Sequence, residues 1–87
     1  MKLKLQGSEA AAGTSSTNGS NVGLATVVRV HNSGTTQRLV SLETSGAALI
    51  GTFTISGGAS EILEKNPTEE VFAADAEIKL VGVAYNA

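Results

Sequence analysis

The sequence predicts an all-β fold, and three observations carry that prediction. Short runs rich in Val, Ile, Leu, Thr and Phe recur along the chain as "LATVVRVHN", "QRLVSLE", "ALIGTFTI" and "EIKLVGVAY", the composition that fits a pleated, half-buried strand. Turn-forming clusters separate them, "NSGTT", "TSGA", "SGGAS" and "KNPTEE", at the roughly 8–12-residue spacing of a sandwich or barrel. No window of helical length carries apolar residues at helical spacing.

Each element follows in chain order. The opening "KLKLQ" alternates polar and apolar residues, which predicts a short edge strand with Leu3 and Leu5 facing inward. Residues 7–23, "GSEAAAGTSSTNGSNVG", show no hydrophobic period and bring too little apolar surface to repay their own ordering entropy. They read as a flexible loop, or as an arm that orders only against a neighbouring subunit. From residue 24 onward, alternation selects Leu24, Val28, Val30, Val40, Leu42, Leu49, Phe53, Ile55, Ile62, Val71, Ile78, Leu80 and Ala84 as inward positions. Pro67 cannot donate to a ladder, so one strand ends by Lys65 and another starts near Thr68. The expected architecture is one β-sandwich of about seven mostly antiparallel strands over residues 1–87, Ig-like or jelly-roll-like, with the 7–23 tract as its loop or arm.

Several strands carry apolar residues on both faces. Val27 stands beside Val28, Leu39 beside Val40, and Val81, Val83 and Tyr85 oppose Leu80. A strand apolar on both faces is covered on both, and in so short a chain the second cover is expected from another copy. Size points the same way. The 87 residues include no cysteine for a disulfide and only Phe53, Phe72 and Tyr85 as aromatics, and small scaffolds without staples gain stability by oligomerising.

Composition narrows the classes of function. A net charge of −2 supplies no field for holding phosphates, so neither nucleic acid nor an anionic membrane is the expected partner. No run reaches the roughly 18 apolar residues of a membrane span, and "MKLKLQGSEAAAG" lacks the apolar stretch of a secretion signal. The chain is therefore expected to remain in the cytoplasm until assembly or lysis.

Two clusters invite a chemical reading. Glu61, Glu64, Glu69 and Glu70 surround Lys65 and Pro67, but general acid–base work needs a pocket that splits two carboxyl pKa values, and the sequence offers no apolar wall there. The same loop lacks the aspartate and asparagine spacing of a calcium loop. It reads as a solvated charged corner that discourages strand-to-strand aggregation. Arg29 and His31 share one strand face, and Arg38 opens the next strand. Without interleaved aromatics they read as an outer face, or as partners for glutamates such as Glu43 across a subunit interface. His31 has no Cys, second His or nearby Asp to make a metal site or dyad, and no serine sits in a nucleophile elbow. No catalytic residue, cofactor or metal is expected.

The order of features resembles small structural proteins of tailed bacteriophages, particularly those of marine and cyanobacterial hosts. In that group a strand of the type V-R-V-x-N precedes a G-S-F-T strand and turn, an E-I-x-E-K-x-P-T-D segment and a closing V-G-x-A-Y. Here the corresponding stretches are "VRVHN", "GTFTISGG", "EILEKNPTEEVFA" and "VGVAYN", within residues 22–86. Glu69 stands where the pattern has aspartate. The resemblance implies a non-enzymatic virion protein, present in many copies, that decorates or cements the capsid or sits in the neck or tail. Capsid decoration by a homo-oligomer is the leading expectation, with a trimer favoured because capsid lattices offer three-fold positions. Its implied partners are further copies of itself and the major capsid protein or other virion proteins. Candidate contacts are Ala10, Ser15, Asn18 and Asn21 in the arm, Glu64, Lys65, Pro67, Glu69 and Glu70 at the corner, and Arg29, His31 and Tyr85. The alternative is a receptor- or carbohydrate-binding tail module, against which the scarcity of aromatics argues.

Overall fold

The chain folds into two antiparallel sheets packed face to face. A computed structural model describes residues 2–86, with side chains described for residues 3–84. Eight strands lie among the described residues: β1 (Lys2–Leu5), β2 (Ala10–Ala11), β3 (Val27–Asn32), β4 (Arg38–Glu43), β5 (Leu49–Ile55), β6 (Ser60–Glu64), β7 (Glu70–Ala73) and β8 (Ile78–Asn86). The first sheet runs β1-β8-β3-β6, with β2 also paired to β8. The second runs β5-β4-β7. The strand runs read from the sequence correspond to β1 and β3 to β8; β2 has no sequence signal, because its two alanines pair only through the main chain.

The core sits between the sheets. Val28 and Val30 of β3, Ile78 and Leu80 of β8, Val40 of β4, Ile55 of β5, and Val71 and Ala73 of β7 form one buried cluster, joined by Ala12. Alternation produces this because every second residue of a strand points to the same face. Leu42 and Phe53 pack on the cluster half-buried. Five expected inward positions are exposed instead: Leu3 and Leu5 on β1, which ends the first sheet, and Leu24, Leu49 and Ile62. Leu49 and Ile62 lie on β5 and β6, each the end strand of its sheet. Leu24 lies outside any strand, in a turn where Val22, Gly23 and Leu24 have φ of 53°, 65° and 62°, and β3 begins only at Val27.

The 7–23 tract does not hang free. Gln6 N–H donates to Gly82 C=O (2.8 Å) and Ala12 N–H to Ile78 C=O (2.8 Å), so the segment follows β8 of the first sheet. It then crosses to the second sheet, where Ala73 N–H donates to Gly13 C=O (2.9 Å) and Ser20 exchanges both main-chain bonds with Val71 (2.8 and 3.0 Å). A short 3₁₀ turn, Ser16–Asn18, lies between these two attachments. The ordering free energy comes from main-chain bonds to β7 and β8 and from burial of Ala12, neither of which shows as a hydrophobic period. The arm thus closes one side of the sandwich. The chain's own segments supply cover expected from another copy: Val81 lines a groove with Ser8 and Glu9 of the arm, and Val83 one with residues 23–26 that follow it, and both valines are buried.

Candidate functional site

The candidate residues separate into three places. Arg29 and His31 project from the outer face of β3 in register with Ile62 and Ser60 of β6. Arg29 donates through Nη2 to Ser60 Oγ (3.0 Å) and pairs through Nη1 with Glu9 Oε2 (3.3 Å), while His31 Nδ1 lies 2.8 Å from the same Ser60 Oγ. Arg29 therefore takes its acidic partner from its own arm. Arg38 is not part of this group. It starts β4 in the other sheet, where its Nε donates to Glu77 Oε2 (3.1 Å) and its Nη2 approaches Asp75 Oδ2 (3.5 Å).

The charged corner has a different construction from the one expected. Lys65 is buried, and its Nζ donates to the carbonyls of Asn66 (3.1 Å) and Pro67 (3.2 Å). Burial holds its pKa below the usual lysine value, and the nearby Glu69 carboxylate pulls it partly back. Glu69 closes the turn from the other side, accepting from Asn66 N–H (2.8 Å) and Asn66 Nδ2 (3.2 Å). Lys65 and Glu69 thus hold the Asn66–Pro67 turn. Glu61, Glu64 and Pro67 remain exposed. The solvated corner is correct for those three and wrong for Lys65, which is 5% exposed.

Glu70 belongs to a third place. It faces Glu43 across the β7–β4 ladder, and the arm passes over both at Gly19. A Cβ at Gly19 would stand 2.5 Å from Glu43 Oε2, 2.9 Å from Glu70 Cβ and 3.0 Å from Glu70 Oε1. Glu43 is 1% exposed, which overturns the expectation that it pairs with an arginine of another subunit. The arm lies against Glu43 at Gly19, and strand alternation carries no sign of a loop that arrives from elsewhere in the chain.

In the arm, Ala10 is exposed and paired to Leu80. Ser15 Oγ bonds Thr17 Oγ1 (3.0 Å), and its carbonyl accepts from Asn18 N–H (2.9 Å). Asn21 Oδ1 accepts from Leu24 N–H (3.3 Å). These polar side chains shape the arm's own turns. Tyr85 pairs with Leu3 in the β1–β8 ladder; its side chain lies outside the described residues. Comparison of the chain with protein-family models, with curated proteins and with solved structures found no match.

The side of the sandwich opposite the arm stays open. β6 ends the first sheet and β5 the second, and neither outer edge pairs with another strand among the described residues. The two edges meet at a groove lined by Phe53, Thr54, Glu61, Ile62 and Leu63. Ile62 in this groove and Leu49 and Ile50 at the start of β5 expose about half or more of their surface (48%, 63% and 48%).

Proposed function

We propose that the chain is a non-enzymatic virion subunit of a tailed phage, decorating or cementing the capsid through contacts with further copies of itself and with the shell. One observation carries this reading: an apolar pair of unpaired strand edges, β5 and β6, on a domain whose opposite side is closed by its own arm. Unpaired edges with exposed Leu and Ile invite strand addition, and monomers normally blunt such edges with charge or cover. The resemblance of "EILEKNPTEEVFA" and "VGVAYN" to phage structural proteins supports the same assignment. Mechanistically, each copy would add main-chain bonds and buried apolar area between neighbouring capsomers, and repetition over many sites would stabilise the shell. A trimer at three-fold positions suits that role. The test is mass spectrometry of particles purified from the phage whose genome encodes this chain. The expected result is the chain in many copies per particle, removed together with shell stability by mild dissociation; its absence from purified particles would overturn the reading.

A further inference from the structure

We propose that Glu43 and Glu70 form a binding site for a hard divalent cation, Ca²⁺, at the seam where residues 13–20 dock onto the second sheet. The pair is set by the fold. Glu43 ends β4 and Glu70 begins β7, and the ladder places them directly opposite each other, where two like charges repel. Neither is neutralised from nearby: the ion pairs among the described residues engage Glu9, Asp75 and Glu77, and Lys65 is turned to the Asn66 and Pro67 carbonyls.

An independent observation points to a ligand. Glu43 Oε2 is the one buried side-chain nitrogen or oxygen without a hydrogen-bond partner among the described residues, and it faces the space beside Gly19 that Glu70 Oε1 also flanks. An unpartnered buried carboxylate oxygen is strongly unfavourable. A cation shared with Glu70 would remove both the orphan and the repulsion. Position 19 suits this because its φ of −63° and ψ of 149° are open to any residue, so the constraint there is space, and any side chain would press on the carboxylates.

The chemistry selects the ion. Two carboxylates supply hard oxygen donors, and no group of three or more His, Cys, Asp or Glu gathers among the described residues, so a closed zinc site is not built here. Ca²⁺ tolerates irregular oxygen sets and completes its shell with water and main-chain carbonyls, whereas Mg²⁺ demands near-octahedral geometry. With two charged ligands the affinity belongs to the weak class, with Kd of about 10⁻⁴–10⁻³ M. Because the arm passes over the site, the bound ion would clamp residues 13–20 to β4 and β7. The inference rests on the fold alone and stands apart from the virion reading.

The test uses the full chain, stripped with EDTA and returned to CaCl₂ or to NaCl of matched ionic strength. Calcium at about tenfold over Kd is expected to raise Tm by roughly 5–10 °C beyond the NaCl control. It is also expected to slow amide exchange at Ser20, Val71 and Ala73, the groups that bond arm to sheet. Glu43→Gln and the less buried Glu70→Gln should each abolish the calcium-specific shift. No shift beyond NaCl, or a shift that survives in both variants, overturns the proposal.

Discussion

Asn32 is fully buried at the end of β3, and its side chain is spent entirely on holding other segments. Nδ2 donates to Thr36 C=O (2.8 Å) and Ile55 C=O (3.1 Å), and Oδ1 accepts from Gly34 N–H (3.0 Å). One side chain thereby fixes the 33–36 turn and ties it to the end of β5. Asn32→Ala would leave two carbonyls and one amide without partners, at about 1–3 kcal/mol for each group that water cannot reach. The expected loss is about 3 kcal/mol of unfolding free energy, read as a fall in urea midpoint with an unchanged slope. Lys65 adds a pH dependence whose sign follows from its lowered pKa. Between the folded and unfolded values the unfolded chain binds more protons, so stability rises with pH across that window. The urea midpoint of wild type should therefore gain on that of Lys65→Met from neutral pH towards about pH 10.4, the ordinary lysine value; a constant difference would refute it. Neither residue was legible in these roles. Asn32 reads as the polar stop of a strand, and Lys65 as one charge among five, because burial of a polar group depends on which loops arrive over it.

The arm from residue 7 to residue 23 is the element that the sequence describes least well. Its Gly, Ser, Thr and Asn content signals a lack of side-chain burial, and this is accurate for most of it, yet main-chain bonds to β7 and β8 hold it in place. The arm enters β3 through the left-handed turn at Val22, Gly23 and Leu24. For L-residues other than Gly, Asn and Asp that conformation costs roughly 1–2 kcal/mol each. Val22 packs against the core, whereas Leu24 is 57% exposed and gains little in return. Leu24→Asn should stabilise the fold by about 0.5–1 kcal/mol, since asparagine tolerates the left-handed region, and thermal unfolding would register it as a Tm rise of a few degrees. An unchanged or lower Tm would mean that Leu24 contributes packing that its exposure conceals. The remaining strands were legible from alternation and turn chemistry. Their division between two sheets was not, since hairpins and crossovers use the same turn residues: "TSGA" joins β4 to β5 within one sheet, and "SGGAS" carries the chain from β5 to β6 in the other.

As a whole the molecule is a slab of 34 × 31 × 19 Å, and its accessible surface of 4836 Å² matches the roughly 4,800 Å² of a self-sufficient folded monomer of this mass. The thin core anticipated from composition therefore does not oblige the chain to oligomerise, and the case for self-association rests on the open β5–β6 side. Light scattering behind size exclusion, run down a dilution series, should give a trimer that Ile62→Lys weakens by at least about tenfold. Because Ile62 is exposed, the substitution should shift monomer stability by no more than about 0.5 kcal/mol. A wild-type monomer at every concentration would leave these edges to a different partner. The strand order also has a consequence in time. β8 lies between β3 on one side and β1 and β2 on the other, yet among the described strands it comes last in the chain. β3 and β6 can pair with each other beforehand, but β1 and β2 have no neighbour in this sheet except β8, so the first sheet is completed only when residues 78–86 join it. Its pairings are almost all distant in sequence, which places refolding in the millisecond-to-second range rather than the microseconds of helical bundles.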